Sequence, residues 1–309
     1  MKTKFLASTA LACTFFAMSG LAVEWDGGAG SLFFGDGANW NPDVAWDSGA
    51  GSTNDPYVEA QSFAVNSNAT VTLNGLSFNV SDLDLNHASG RVVITSNTTL
   101  KATGVANSFA VWNRGTVDVY GKLEMASAQI AVDTLNTDCS VTLNVLSGGQ
   151  ALLTHNNSFH ATYGDRRNTT INVDGSLTLK LLQSAGWTNA TGNSFGIYVN
   201  HGGVFNVSHS LTMFSDNNST SKIYLDGGVM NWSTATFGTN GLSSGNGMVF
   251  RDYDSFMTLS GNQTNTVQAW INAGFVSSTK SGTLMNQLDG GNTKVYVKPP
   301  PYGTVIFIK

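Results

Sequence analysis

The sequence predicts an all-β fold, a parallel β-helix (solenoid) with coils of about 26 residues and an N-terminal Trp/Gly-rich cap. Three observations carry this reading. First, five segments align as an apolar-polar-apolar strand: Thr116-Val117-Asp118-Val119, Thr142-Leu143-Asn144-Val145, Thr170-Ile171-Asn172-Val173, Gly196-Ile197-Tyr198-Val199 and Lys222-Ile223-Tyr224-Leu225. Their starts differ by 26, 28, 26 and 26 residues, and looser copies flank them at Arg91-Val92-Val93-Ile94 and Met248-Val249-Phe250. Second, a turn glycine follows each: Gly121, Gly148, Gly175, Gly202 and Gly227. Third, the only prolines are Pro42, Pro56, Pro299, Pro300 and Pro301, so residues 57 to 298 contain none. Proline cannot donate to a strand ladder, and its exclusion over this length predicts nearly continuous pairing.

Each unit is too small to bury its own apolar face, which stacking of identical units solves. The period-two alternation assigns the faces. Val117, Val119, Leu143, Val145, Ile171, Val173, Ile197, Val199, Ile223 and Leu225 should stack inward, while Asp118, Asn144, Asn172, Tyr198 and Tyr224 should form an outward, exposed ladder. The glycines should form a corner column because sharp turns favour positive φ. An antiparallel sandwich also has short, evenly spaced strands, but the constant register favours the solenoid.

Three regions follow: a signal peptide at 1–22, a Trp/Gly-rich cap at 23–56 and the solenoid body at 57–309. Lys2 and Lys4 precede an apolar stretch from Phe5 to Met18, and Gly20-Leu21-Ala22 supplies the small residues of a cleavage site after Ala22. The apolar stretch is too short to span a bilayer, and Ala10-Leu11-Ala12 is a poor lipidation site for Cys13. Cleavage leaves Cys139 as the only cysteine, so no internal disulfide is expected, and it reads as a small strand residue rather than a nucleophile. Residues 23–56 hold Trp25, Trp40 and Trp46 with no copy of the repeat. A cover for an open solenoid end explains them, and a glycan-stacking platform is the alternative.

Only 11% of the residues are charged, 15 basic against 20 acidic, and Gly supplies 34 positions. No basic run exists, so nothing favours nucleic acid as a partner. Stacked ladders account for the scarcity of charge, since like charges about 4.8 Å apart on neighbouring strands repel.

The repeat, together with Glu24-Trp25-Asp26-Gly27-Gly28 and Ala38-Asn39-Trp40, resembles bacterial exported β-helix surface proteins of the autotransporter passenger and autotransporter-associated β-strand repeat type. That resemblance implies a secreted or outer-surface protein of a Gram-negative type bacterium. No run of strands able to form a translocator barrel follows Pro299, so release from the cell, or membership of a longer chain, is the expectation.

Many β-helix proteins cleave polysaccharides, and such chemistry needs convergent carboxylates. Asn136-Thr137-Asp138 is similar to the first acidic motif of the polygalacturonases, but the partner motifs are missing and Asp138 reads as a turn residue. Asp252 and Asp254 stand two apart and, on a strand, would share a face suited to acid/base work or calcium. Asp82 and Asp84 repeat that spacing. Asp165-Arg166-Arg167 is the densest charge cluster, with Arg166 and Arg167 as substrate clamps or, more simply, a solvated loop. Tyr198 and Tyr224 are candidate sugar-stacking rings. His87, His155, His160, His201 and His209 lack metal-ligand spacing, no metal site is expected, no cofactor is called for, and calcium has no specific support. No nucleophile elbow or phosphate loop occurs. The expected function is therefore a non-enzymatic extracellular or cell-surface solenoid with a structural or adhesive, glycan-contacting role. A β-helix polysaccharide lyase or hydrolase and a glycan-binding module are the alternatives. Glycans, matrix components and further copies of the chain are the expected partners, with no transmembrane segment in the mature chain.

Overall fold

The structure, a computed structural model, describes residues 21–25, 40–41, 62–65, 69–75, 77–80, 82–85, 88–102, 111–112, 114–125, 129–132, 139–153, 159–163, 167–180, 182–183, 192–209, 211–212, 220–234 and 246–301. The chain coils through three stacked sheets of 11, 10 and 7 strands, in which strands of successive coils pair in parallel. The repeat register is the one read from the sequence. Thr116 aligns with Thr142, Thr142 with Thr170, Thr170 with Gly196 and Gly196 with Lys222. Arg91 aligns with Thr116 and Ile223 with Met248, so the two looser copies are also rungs of the long sheet.

The ten residues assigned inward are all fully buried. They stack with like residues at a strand spacing of about 4.8 Å, so each coil covers the apolar faces of its neighbours. Leu123, Ala151, Leu177, Phe205 and Met230 from the second sheet complete the core.

The corner glycines hold a different alignment from the one the spacing suggested. The second sheet pairs Lys122, Gln150, Ser176, Val204 and Val229. The column just before it is therefore Gly121, Gly149, Gly175, Gly203 and Gly228, bounded by Thr98 on one side and Ser255 on the other. Gly148, Gly202 and Gly227 do have positive φ, but Gly121 and Gly175 do not. What the column requires is close approach. A Cβ on Gly203 would be driven into the Val173 carbonyl oxygen. At each end of the column a hydroxyl replaces the glycine and bonds back to the preceding coil. Thr98 Oγ1 accepts from the Gly75 N–H at 2.8 Å and donates to the Leu73 carbonyl at 3.2 Å. Ser255 Oγ accepts from the Gly227 N–H at 2.8 Å and donates to the Leu225 carbonyl at 2.9 Å.

Both ends differ from a plain stack. Leu21–Trp25 pairs in parallel with Ala69–Leu73 and antiparallel with Trp40–Asn41, so part of the segment read as a cap is a rung of the long sheet. This strand straddles the expected cleavage point after Ala22. At the other end a helix, Thr264–Asn272, lays Val267 and Trp270 over the core. Trp270 stacks on Trp232 with centroids 5.7 Å apart and meets Phe275 edge-on at 6.4 Å. Beyond it, Thr283–Asp289 and Asn292–Lys298 form an antiparallel hairpin, and the second of these strands pairs with Phe256–Leu259. No described helix is long and apolar enough to cross a membrane.

Candidate functional site

The outward row of the long sheet forms the expected ladder, but it is not the exposed ladder that the alternation suggested. Asn144, Asn172, Tyr198 and Tyr224 are half-buried and Asp118 is 1% exposed. The cause is that each side chain covers the next. Arg91 Nε donates to Asp118 Oδ2, Asn144 Nδ2 donates to Asp118 Oδ1 at 2.7 Å, and Asn172 Nδ2 donates to Asn144 Oδ1 at 2.8 Å. One acceptor at the head of the row thus orients a chain of amides, and the polar groups are satisfied by neighbouring coils instead of water.

The row then turns aromatic. Tyr198 and Tyr224 stack with centroids 4.7 Å apart and planes 15° from parallel. Gly196 makes room for this, because Tyr198 lies back over it, 2.9 Å from where a Cβ would stand. The Arg251 guanidinium lies 3.7 Å from the centroid of Tyr224. Arg251 also reaches Tyr198, at 5.5 Å, so the three form one assembly. The guanidinium therefore sits beside the ring stack, not beyond it, and ties Arg251 to both tyrosines. The two tyrosines come together as a brace between coils.

Asp252 and Asp254 lie in the turn between Asn246–Phe250 and Phe256–Leu259, not on a strand, so the spacing of two does not give them a common face. Asp252 Oδ1 accepts from the Asp254 N–H at 2.9 Å and closes the turn. Asp254 is exposed and lines an open groove of about 320 Å³ with Tyr253, Ser255, Phe256, Gln287, Lys294 and Tyr296. The hairpin builds this groove by pairing Phe256 with Tyr296, Met285 with Tyr296 and Gln287 with Lys294. The Tyr296 hydroxyl donates to Gln287 Oε1 at 3.3 Å and the Tyr253 hydroxyl donates to the Ser281 carbonyl at 2.7 Å. Lys294 Nζ stands 4.5 Å from the Phe256 centroid and Lys280 Nζ 5.7 Å from that of Tyr253. Aromatic surface, a carboxylate, an amide and an ammonium thus meet in one concavity, a combination able to hold a ligand that has both apolar and hydroxylated faces.

Of these residues the sequence pointed only to Asp254. Phe256, Lys294 and Tyr296 lie on ordinary alternating strands, and only the antiparallel return of the hairpin brings them together. Asp138 and Arg166 lie outside the described residues. Arg167 begins the strand Arg167–Val173, with its side chain outside the description, as are the side chains of Asp82, Asp84 and Cys139. His201 is exposed in its turn and His209 is exposed, with its carbonyl accepting from Trp232 Nε1 at 2.7 Å. Among the described residues no three of His, Cys, Asp and Glu form a group that could hold a metal ion. Among the described residues the one carboxylate with a clear electrostatic shift is Glu124 on the second sheet. The hydrogen bond from Lys122 holds it below its ordinary range, with Lys101 3.8 Å away adding to the effect. Comparison of the chain with protein-family models, with curated proteins and with solved structures gives no match.

Proposed function

We propose that this chain is a non-enzymatic extracellular or cell-surface scaffold that contacts glycans through the groove between its last turn and the C-terminal hairpin. The observation that carries the reading is where the functional side chains are used. Asp118, Asn144, Asn172, Tyr198, Tyr224 and Arg251 bond or stack to the coils beside them, and Asp252 closes a turn. These groups serve the rod and not a reaction. The groove differs, because Tyr253, Phe256 and Tyr296 offer apolar surface suited to a pyranose face while Asp254, Gln287 and Lys294 offer hydroxyl partners. The leader-like first 22 residues and the resemblance to exported β-helix surface proteins support an extracellular setting.

Incubation of the purified chain with acidic and neutral polysaccharides tests both halves. Retention on a glycan array, lost in Tyr296→Ala with the fold intact, supports the proposal. Appearance of reducing or unsaturated ends sinks the non-enzymatic half, and absence of retention across the array sinks the glycan half. N-terminal sequencing of the exported product should begin at Val23, and a product retained in the cytoplasm with Met1 intact contradicts the extracellular assignment.

A further inference from the structure

Thr283–Asp289 is the last strand of the 10-stranded sheet, hydrogen-bonded to Asn292–Lys298 on one side only among the described residues. An edge of this kind presents unpaired N–H and C=O groups, and proteins blunt it with lysine, proline or a bulge. The segment Thr-Leu-Met-Asn-Gln-Leu-Asp has none of the first two, and its seven-residue pairing with its neighbour runs without a break in register. The lysines of the hairpin, Lys294 and Lys298, sit on the inner strand instead. Leu284, Asn286 and Leu288 share the face of Val297, Val295 and Thr293, which are buried. Leu284 is half-buried against the core, while Leu288 overhangs it and is 55% exposed, one of two large hydrophobic residues so exposed among the described ones.

The order of residues in this strand points to what covers it. About Asn286 it is nearly symmetric, with Leu at 284 and 288, a longer side chain at 285 and 287 and a polar residue at 283 and 289. We propose that the edge pairs antiparallel with the same strand of a second copy of this chain, around a twofold axis through Asn286. Directly opposite residues in an antiparallel pair share a face. Leu284 then meets Leu288 of the second copy on one face, twice by symmetry, and Met285 meets Gln287 on the other. The lone charge, Asp289, falls opposite Thr283, so no like charges oppose each other. A twofold contact is self-limiting, which closes the exposed edge without forming a fibre. The area is small for a stable dimer, so association is weak and concentration-dependent, and it matters most where copies are crowded on a surface.

The test is sedimentation velocity on the full chain across a concentration series, with Leu288→Lys as the disrupting variant and circular dichroism to establish that its fold is kept. The wild type should pass from monomer to dimer, and the variant should need at least about tenfold more protein to do so, as one lost pair of apolar contacts and two introduced charges imply. In a Cys139→Ser background, Asn286→Cys should cross-link to itself under oxidation while Asn262→Cys, at an exposed turn, does not. A wild type that stays monomeric, a variant that dimerises equally, or cross-linking no greater at 286 than at 262 each overturns the proposal. So does a chain truncated after Pro301 that dimerises when the full chain does not, since the edge is then covered by residues 302–309. Glycan retention by monomeric Leu288→Lys is read separately, which keeps failure of this proposal distinct from failure of the groove.

Discussion

The Arg251 guanidinium stands 3.7 Å from the centroid of the Tyr224 ring and 5.5 Å from that of Tyr198 on the preceding coil, beside two rings that are themselves stacked 4.7 Å apart. A cation over a tyrosine face is worth about 0.5–1 kcal/mol where the site is partly exposed. Arg251→Ala should therefore lower the urea midpoint by the equivalent of about 0.5–1 kcal/mol, and should lower it much less in a Tyr224→Leu background. A double-mutant cycle measures the difference directly. Equal losses in the two backgrounds would show that Arg251 acts through something other than the ring.

Asp118 heads the polar ladder with a side chain 2% exposed, while its partner Arg91 is 50% exposed. Removing Arg91 leaves a buried carboxylate held by the Asn144 amide alone, a loss of about 1–3 kcal/mol. The same removal in an Asp118→Asn background strands no charge and should cost well under half as much. Chemical denaturation of the four proteins of that cycle checks this. An Arg91→Ala cost that is the same with Asp or Asn at 118 would assign the loss to the arginine stem and not to the pair.

The faces and register of the long sheet were legible because alternation and a step near 26 residues repeat along five coils, and packing leaves only one side for Val117, Leu143, Ile171, Ile197 and Ile223. The degree of exposure was not legible. Alternation says which way Asn144 or Tyr198 points, but cover comes from the residue above and below, which a single strand does not contain. The glycine column was found in the right corner for the wrong reason, since φ is a local property and the approach of the Val173 carbonyl to Gly203 belongs to two coils at once. The end cover was missed for a similar reason. Val267, Trp270 and Ile271 have helical spacing, but nine residues among Asn, Thr and Gln give too weak a period to stand out. The groove needed the antiparallel return of Asn292–Lys298 beside Phe256–Leu259, in a chain whose repeats all argue for parallel pairing.

Acid should weaken the second sheet at one identifiable place. The Lys122 hydrogen bond lowers the pKa of Glu124 from the ordinary 4.5, and the carboxylate also pairs with Lys101 on the preceding coil. A folded-state pKa below the unfolded one adds stability that is fully present above the unfolded value and is lost as pH falls through the folded value. Glu124→Gln should thus reduce stability at pH 7 by about 0.2–1 kcal/mol, the range of a partly exposed ion pair, and the gap should close between about pH 5 and pH 3. Thermal melts of both proteins across that interval check the sign. A gap that widens on acidification would mean that burial of the Glu124 carboxyl outweighs the two lysines and raises its pKa instead.

The corner column makes the sharpest prediction, because two adjacent glycines fail for different reasons. Gly202 has φ of 83° with open space where a Cβ would stand, so Gly202→Ala meets only left-handed backbone strain, about 1 kcal/mol. Gly203 has no positive φ, yet its added Cβ would strike the Val173 carbonyl oxygen and crowd that of Asn200 at 3.0 Å. Backbone cannot rotate away as a side chain can. The Val204 N–H is bonded to the Gly175 carbonyl at 2.8 Å and the Val229 N–H to the Gly203 carbonyl at 3.0 Å, so any shift of this corner strains both neighbours. Gly203→Ala should therefore cost at least about 2–3 kcal/mol, in the range of overpacking a close-packed interior, and more than Gly202→Ala. It should also raise amide exchange at Val204 and Val229 before the rest of the sheet. If the alanine at 202 proves the more damaging, positive φ governs the column after all, and the close stacking of carbonyl on glycine is incidental to it.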